Sequence, residues 1–182
     1  MSDTTPHDPD NPRVSEIISN PFPAKGDPPP DAIANIIAAC GKIKIAINDR
    51  DLATAMAGRV YRTANDARHD FYLQLNSKHT DAQQIGTLAH ELGHVFCGHL
   101  GETEDGFWQD RSDRDEAARE FEAEAVAYFV TLRMNLDIGS AAYLAGYLKN
   151  GCTLPDYSLD AILKAAGKIE EMADGRFRPR KK

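Results

Sequence analysis

In the segment "TLAHELGHVFCGHLG", residues 87 to 101, His90, Glu91 and His94 form the pattern HExxH inside a run that otherwise reads as apolar helix. His90 and His94 are four residues apart, so on a helix their imidazoles lie on one face and can converge on a single ion. Glu91 projects beside that pair. The donor set suits zinc (Zn2+), which takes neutral imidazole nitrogen at about 2.0–2.1 Å and in catalytic sites keeps three protein ligands and one water. The ion lowers the pKa of such a water from about 15.7 toward 7, and the neighbouring carboxylate then acts as general base for attack on a carbonyl. Without an ion, two imidazoles and a carboxylate in a core helix would each need a hydrogen-bond partner there.

A third ligand must come from elsewhere. His99 is out of register with the longer pattern HExxHxxGxxH, which needs glycine at 97 and histidine at 100, where Cys97 and Leu100 stand. At the helix end His99 suits the C-terminal dipole better than a ligand role. The segment "AAREFEAEAVAYFV" supplies three glutamates on a helix whose stripe of Ala117, Phe121, Ala125, Tyr128 and Leu132 is expected to face the core. Glu124 falls on that stripe, Glu120 at its margin and Glu122 away from it. An inward carboxylate among alanines and aromatics is costly unless it meets a cation. Glu124 is therefore the expected third ligand, with Glu120 and Glu122 as alternatives.

The elements that must position these groups follow from periodicity. "DAQQIGTLAHELGHVFCGHL" places Ile85, Leu88, Leu92, Val95 and Phe96 at spacings of three and four, and Gly98 and Gly101 close that helix. Before it, "KIKIAI", "GRVYRT" and "HDFYLQLN" read as short strands of a small antiparallel or mixed sheet, the last offering an edge to an extended peptide. Asp31 is a plausible N-cap for an apolar first helix ending at Gly41. After the polar loop with Phe107 and Trp108, which could line a cleft or pack, Ser112 and Asp115 open the glutamate-bearing helix. Further helices begin at Ser140 and Ser158. The expected organisation is a flexible proline-rich arm over residues 1–30, one α+β domain over 31–173 and a basic tail over 174–182. "VSEIISNPF" is the part of the arm able to dock. His79, Tyr128, Tyr143 and Tyr147 are available to stabilise an oxyanion, and the spacing does not choose among them.

Composition narrows the classes. A net charge of -7 argues against direct nucleic-acid binding, and no apolar run is long enough to span a bilayer. The N-terminus lacks a cationic segment followed by an apolar stretch, so a cytoplasmic protein is expected. Cys40, Cys97 and Cys152 are widely spaced and suggest neither a disulfide framework nor a thiolate metal site.

"LAHELGHVFCGHLG", followed by "EFEAEAVAYFV", resembles the ImmA/IrrE family of zinc metallo-endopeptidases over roughly residues 31–150, and is also similar to the metalloprotease-like domain of ArdC antirestriction proteins. In that family the second helix gives a glutamate in an E-A-x-x-F/Y context; Glu124, Ala125 and Tyr128 match it, while Val126 replaces a common asparagine. The resemblance implies a minimal zincin-like fold: a small three-stranded sheet packed on the HExxH helix, with further helices C-terminal. It also implies metal ligands His90, His94 and Glu124, the catalytic base Glu91, and a protein or peptide substrate such as a DNA-bound regulator. The alternative is an antirestriction or regulatory protein that keeps the fold and acts by binding a partner.

Overall fold

The computed structural model describes residues 23–52, 56–63, 66–103, 108–149 and 153–179 of the 182-residue chain. Among them the order is α1 (Ala32–Gly41), β1 (Ile45–Arg50), β2 (Gly58–Arg62), β3 (Phe71–Asn76), α2 (Asp81–Phe96), α3 (Glu116–Arg133), α4 (Ser140–Lys149) and α5 (Leu159–Ala173). The fold is the expected α+β arrangement of a small zincin-like domain. "VSEIISNPF", Phe107, Cys152 and residues 180–182 lie outside the described residues.

The sheet is mixed. β3 is its centre, parallel to β1 and antiparallel to β2, with Ile45 opposite Phe71 and Tyr61 opposite Tyr72. Phe71, Leu73 and Leu75 alternate into the core beneath α2, as a half-buried strand requires. β3 therefore has no free edge, and among the described residues the sheet edge beside α2 belongs to β2. β1 begins later than "KIKIAI" suggests, because residues 42–44 are used in turning out of α1, with Lys44 in the left-handed region at φ 59°. Asp31 sits at the N-cap position of α1 with φ 63° and makes no side-chain cap bond.

α2 starts with a capping box: the Gln83 amide donates to Thr80 Oγ1, and the Thr80 amide donates to Gln83 Oε1. Asp115 caps α3 by accepting from the Ala118 amide at 2.7 Å. The face of α3 that enters the core differs from the expected stripe. Of the expected stripe Ala125 is buried, but Ala118, Glu122, Ala123, Val126, Ala127 and Val130 are buried with it and Leu132 is 54% exposed. α5 packs against α1, α2 and α3 through Ile162, Ala165, Ala166, Ile169 and Met172, which recur at helical spacing. Trp108 is buried and packs edge-on to Phe71 and against Phe96, so it belongs to the core and not to a cleft wall. Residues beyond the expected domain limits are also tied in: Lys25 pairs in both directions with Asp137, and Phe177 is buried.

Candidate metal centre

α2 and α3 cross closely because the contact point is small. A Cβ on Gly93 would lie 3.1 Å from Ala123 Cα and 3.3 Å from Ala123 O, so a larger residue would push the helices apart. His90 and His94 stand three residues before and one after Gly93; Glu120 and Glu124 stand at the same offsets from Ala123. The crossing thus sets two imidazoles against two carboxylates.

The contacts sort the carboxylates. His90 Nε2 and His94 Nε2 face each other at 3.3 Å, and the Glu120 carboxylate lies 3.5 Å from each of them. Glu124 is elsewhere: its Oε2 is 3.1 Å from Nδ1 of His90, on the opposite side of the ring. The structure therefore departs from the expected ligand geometry, bringing Glu120 and not Glu124 to the converging nitrogens. The physical reason is the rotation of α3, which turns Glu122 inward and leaves Glu120 and Glu124 flanking the histidines. Three ligands at about 2.0–2.2 Å and tetrahedral angles would be about 3.3–3.6 Å apart. The nitrogen–nitrogen distance falls in that range, the Glu120 carboxylate turns one oxygen toward each nitrogen at 3.5 Å, and His90, His94 and Glu120 form a group able to hold a metal ion.

The electrostatics also fit a cation. Burial disfavours a charged His90, but Glu120 and Glu124 outweigh it and lift its pKa to about 10. His94 moves the other way, to about 3, through burial and the neighbouring positive charge on His90. Glu120 is held below the usual carboxylate range chiefly by its hydrogen bond to His90; Glu124 is lowered too, its bond to His90 overcoming burial. In the protein alone, a proton on His90 thus supplies positive charge that the carboxylates attract.

Glu91, His90 and Glu124 line a cleft of about 390 Å³ together with Met56, Gly58, Thr87, Ala127 and Ile138. Burial raises the Glu91 pKa, opposed by the nearby His90 and by a backbone hydrogen bond from Val60 of β2. A carboxyl raised in this way is better matched to accepting a proton near neutrality. His79, Tyr128 and Tyr143 are not among the residues lining this cleft. Tyr147's side chain lies outside the described part.

Behind the cleft the third histidine has a different position from the helix-end one expected. Gly98, at φ 81°, turns the chain sharply: a Cβ there would meet Gln109 O at 2.2 Å. The His99 amide then donates to His94 O, and its ring is folded back under His94 with Nδ1 to Nδ1 at 3.0 Å. His99 Nε2 lies 2.9 Å from Glu122 Oε2. Arg111 donates to both Glu122 oxygens at 2.7 and 2.6 Å and to Cys97 O, and the Ser158 amide donates to Glu122 Oε1 at 2.7 Å. Burial opposes the Glu122 charge, but these donors hold its pKa at about 2. Arg111 and the role of Glu122 were not found from the sequence. The available signal was an arginine in a polar loop, which alone does not point inward.

Cys97, His99 and Glu122 are also close enough to share an ion. Arg111 already occupies both oxygens of that carboxylate, and burial pushes the Cys97 thiol up to about 12, so the group reads as a completed network. No helix among the described residues is long and apolar enough to cross a membrane.

No curated protein and no solved structure matches the chain. The family model for peptidase M78, described as the IrrE N-terminal-like domain, matches residues 40–136, which hold the sheet, α2, α3 and every residue of the centre. The chain therefore belongs to the IrrE N-terminal-like family of metallopeptidase-type domains.

Proposed function

We propose that this protein is a zinc-dependent metallo-endopeptidase in which His90, His94 and Glu120 hold the ion, Glu91 is the general base and Glu124 orients His90. The carrying observation is the convergence of His90 Nε2, His94 Nε2 and the Glu120 carboxylate beside a cleft that His90, Glu91 and Glu124 line. When bound, the ion supplies Lewis acidity, polarising a carbonyl and acidifying water. Glu91 takes the proton from water at a carboxylate oxygen as the new C–O bond forms, and returns it to the leaving nitrogen as the C–N bond breaks. Glu124, accepting from Nδ1–H of His90, fixes the tautomer that leaves the Nε2 lone pair facing the site. The substrate is a protein or peptide, added along the β2 edge. Family resemblance favours a DNA-bound regulator, with no direct nucleic-acid contact by this chain and a cytoplasmic setting.

The test is Glu91→Gln in the full chain with bound metal measured in parallel. Zinc content stays at wild-type level while peptide hydrolysis falls by about 10²–10⁴-fold. A Glu91→Gln protein with full biological activity would make partner binding, not proteolysis, the function. Zinc well below one per chain after purification without chelators would remove the ligand assignment.

A further inference from the structure

We propose that His99 is a positioning residue of the metal centre: it accepts a hydrogen bond from His94 Nδ1–H, donates from its own Nε2–H to Glu122, and so fixes the His94 ring with Nε2 toward the ion. This rests on the reading of His94 as a ligand.

Two imidazole nitrogens 3.0 Å apart form a hydrogen bond only if one carries a proton and the other a lone pair. The other end of the chain decides which. Glu122 is fully buried and ionised and meets His99 Nε2 at 2.9 Å; a carboxylate only accepts, so the proton is on His99 Nε2. With that proton on Nε2, the lone-pair position of His99 is Nδ1, and the arrangement that keeps His94 Nε2 open to an ion is the one in which His94 donates from Nδ1. His94 Nε2 is left unprotonated, 3.3 Å from His90 Nε2 and 3.5 Å from Glu120.

His99 is itself immobile. It is 2% exposed, its backbone is tied to His94 O, and Gly98 places it where a residue with a side chain could not turn. Glu122 is clamped by Arg111 and the Ser158 amide. Each ligand imidazole thus has its own orienting partner at Nδ1: Glu124 for His90 and His99 for His94. The two differ in chemistry. Glu124 is a charged acceptor that strengthens its imidazole's donation, whereas the imidazole acceptor offered by His99 acts mainly on direction.

Asparagine and glutamine separate the two halves of the relay, because an Asn oxygen can take the place of Nδ1 whereas a Gln nitrogen can take the place of Nε2. Zinc affinity is measured by competition with a chromophoric chelator on full-length apoprotein, with near-UV circular dichroism as the check of folding. His99→Asn keeps the acceptor for His94 and stays within about threefold of wild type; His99→Gln keeps the donor to Glu122, frees His94 and binds zinc about 10- to 100-fold more weakly. Equal losses in the two folded variants, or the reverse order, overturn the proposal. If neither variant folds, the wild-type protein still decides: 15N-edited NMR should show His94 protonated at Nδ1 and His99 at Nε2, and a His94 proton on Nε2 refutes the relay. His94→Ala serves as the control. Unchanged zinc affinity in it defeats the metal-centre reading itself, whereas a large loss in it with none in folded His99→Gln defeats only the role of His99.

Discussion

Two imidazole–carboxylate clusters sit where α2 and the turn after it meet α3, one reaching the cleft through His90 and one behind it, built from the same residue types. On the cleft side, His90, His94 and Glu120 aim donor atoms at a common point, and the Glu120 side chain is 43% exposed. Behind it, His99 and Glu122 are sealed from solvent, and Arg111, itself almost fully buried, supplies the cation. Buried charges persist when paired and hydrogen-bonded, so the rear cluster is complete as protein. The front cluster holds its positive charge as a proton on His90, which a bound ion would replace. The difference shows that residue type does not separate a site from a scaffold; what does is whether the positive charge is a permanent side-chain cation such as Arg111 or an exchangeable proton.

The strongest way to break this contrast is to damage the completed side. Glu122→Ala leaves Arg111 and His99 buried with no carboxylate, a situation that costs about 3–5 kcal/mol. Urea denaturation of the metal-free protein should register that loss in full. A loss under about 1 kcal/mol would mean that the rear cluster is solvated and that the two clusters do not differ as described.

On the cleft side the expected losses fall on metal affinity and not on the apoprotein. Glu120→Ala should weaken zinc binding by more than about 100-fold, beyond the range for an orienting residue, while changing apoprotein stability by less than about 1 kcal/mol because the side chain is largely solvated. Glu124→Ala should cost less, about 10- to 100-fold, since it holds His90 at Nδ1 and not at the converging Nε2. Chelator competition on both variants ranks them. If Glu124→Ala proves far worse than Glu120→Ala, the ligand role returns to Glu124.

That ranking bears on how much of the site could be read from residues alone. His90, Glu91 and His94 come together because a four-residue spacing on one helix leaves little freedom, and the three strands are legible because β-branched and aromatic residues alternate there. The partner carboxylate was harder. The three candidate glutamates on this alanine-rich helix differ by small rotations, and the stripe of Phe121, Tyr128 and Leu132 is not the one that packs deepest. Glu122 enters the core because Arg111, eleven residues away in a loop without periodicity, meets it there; a single buried ion pair reverses what hydrophobicity suggests. His99 was similarly hidden, since the turn at Gly98 brings it back under His94 instead of leaving it at a helix end. Strand order also lay beyond periodicity, which marks β3 as half-buried without saying that it sits between β1 and β2.

The smallest expected effect tests whether the rear cluster can be separated from the helix that closes it. Ser158 has two roles at the start of α5: its hydroxyl accepts from the Ala161 amide at 3.2 Å, and its own amide donates to Glu122. Ser158→Ala removes only the first, at a cost of about 1 kcal/mol of stability for a lost N-cap. The amide is retained, so Glu122 keeps all its donors, His99 keeps its acceptor, and zinc affinity should stay within about twofold of wild type even as the denaturation midpoint falls. A loss of affinity near that of Glu124→Ala would instead show that the docking of α5 helps set the ligand geometry, and the front and rear clusters would then have to be treated as one cooperative unit.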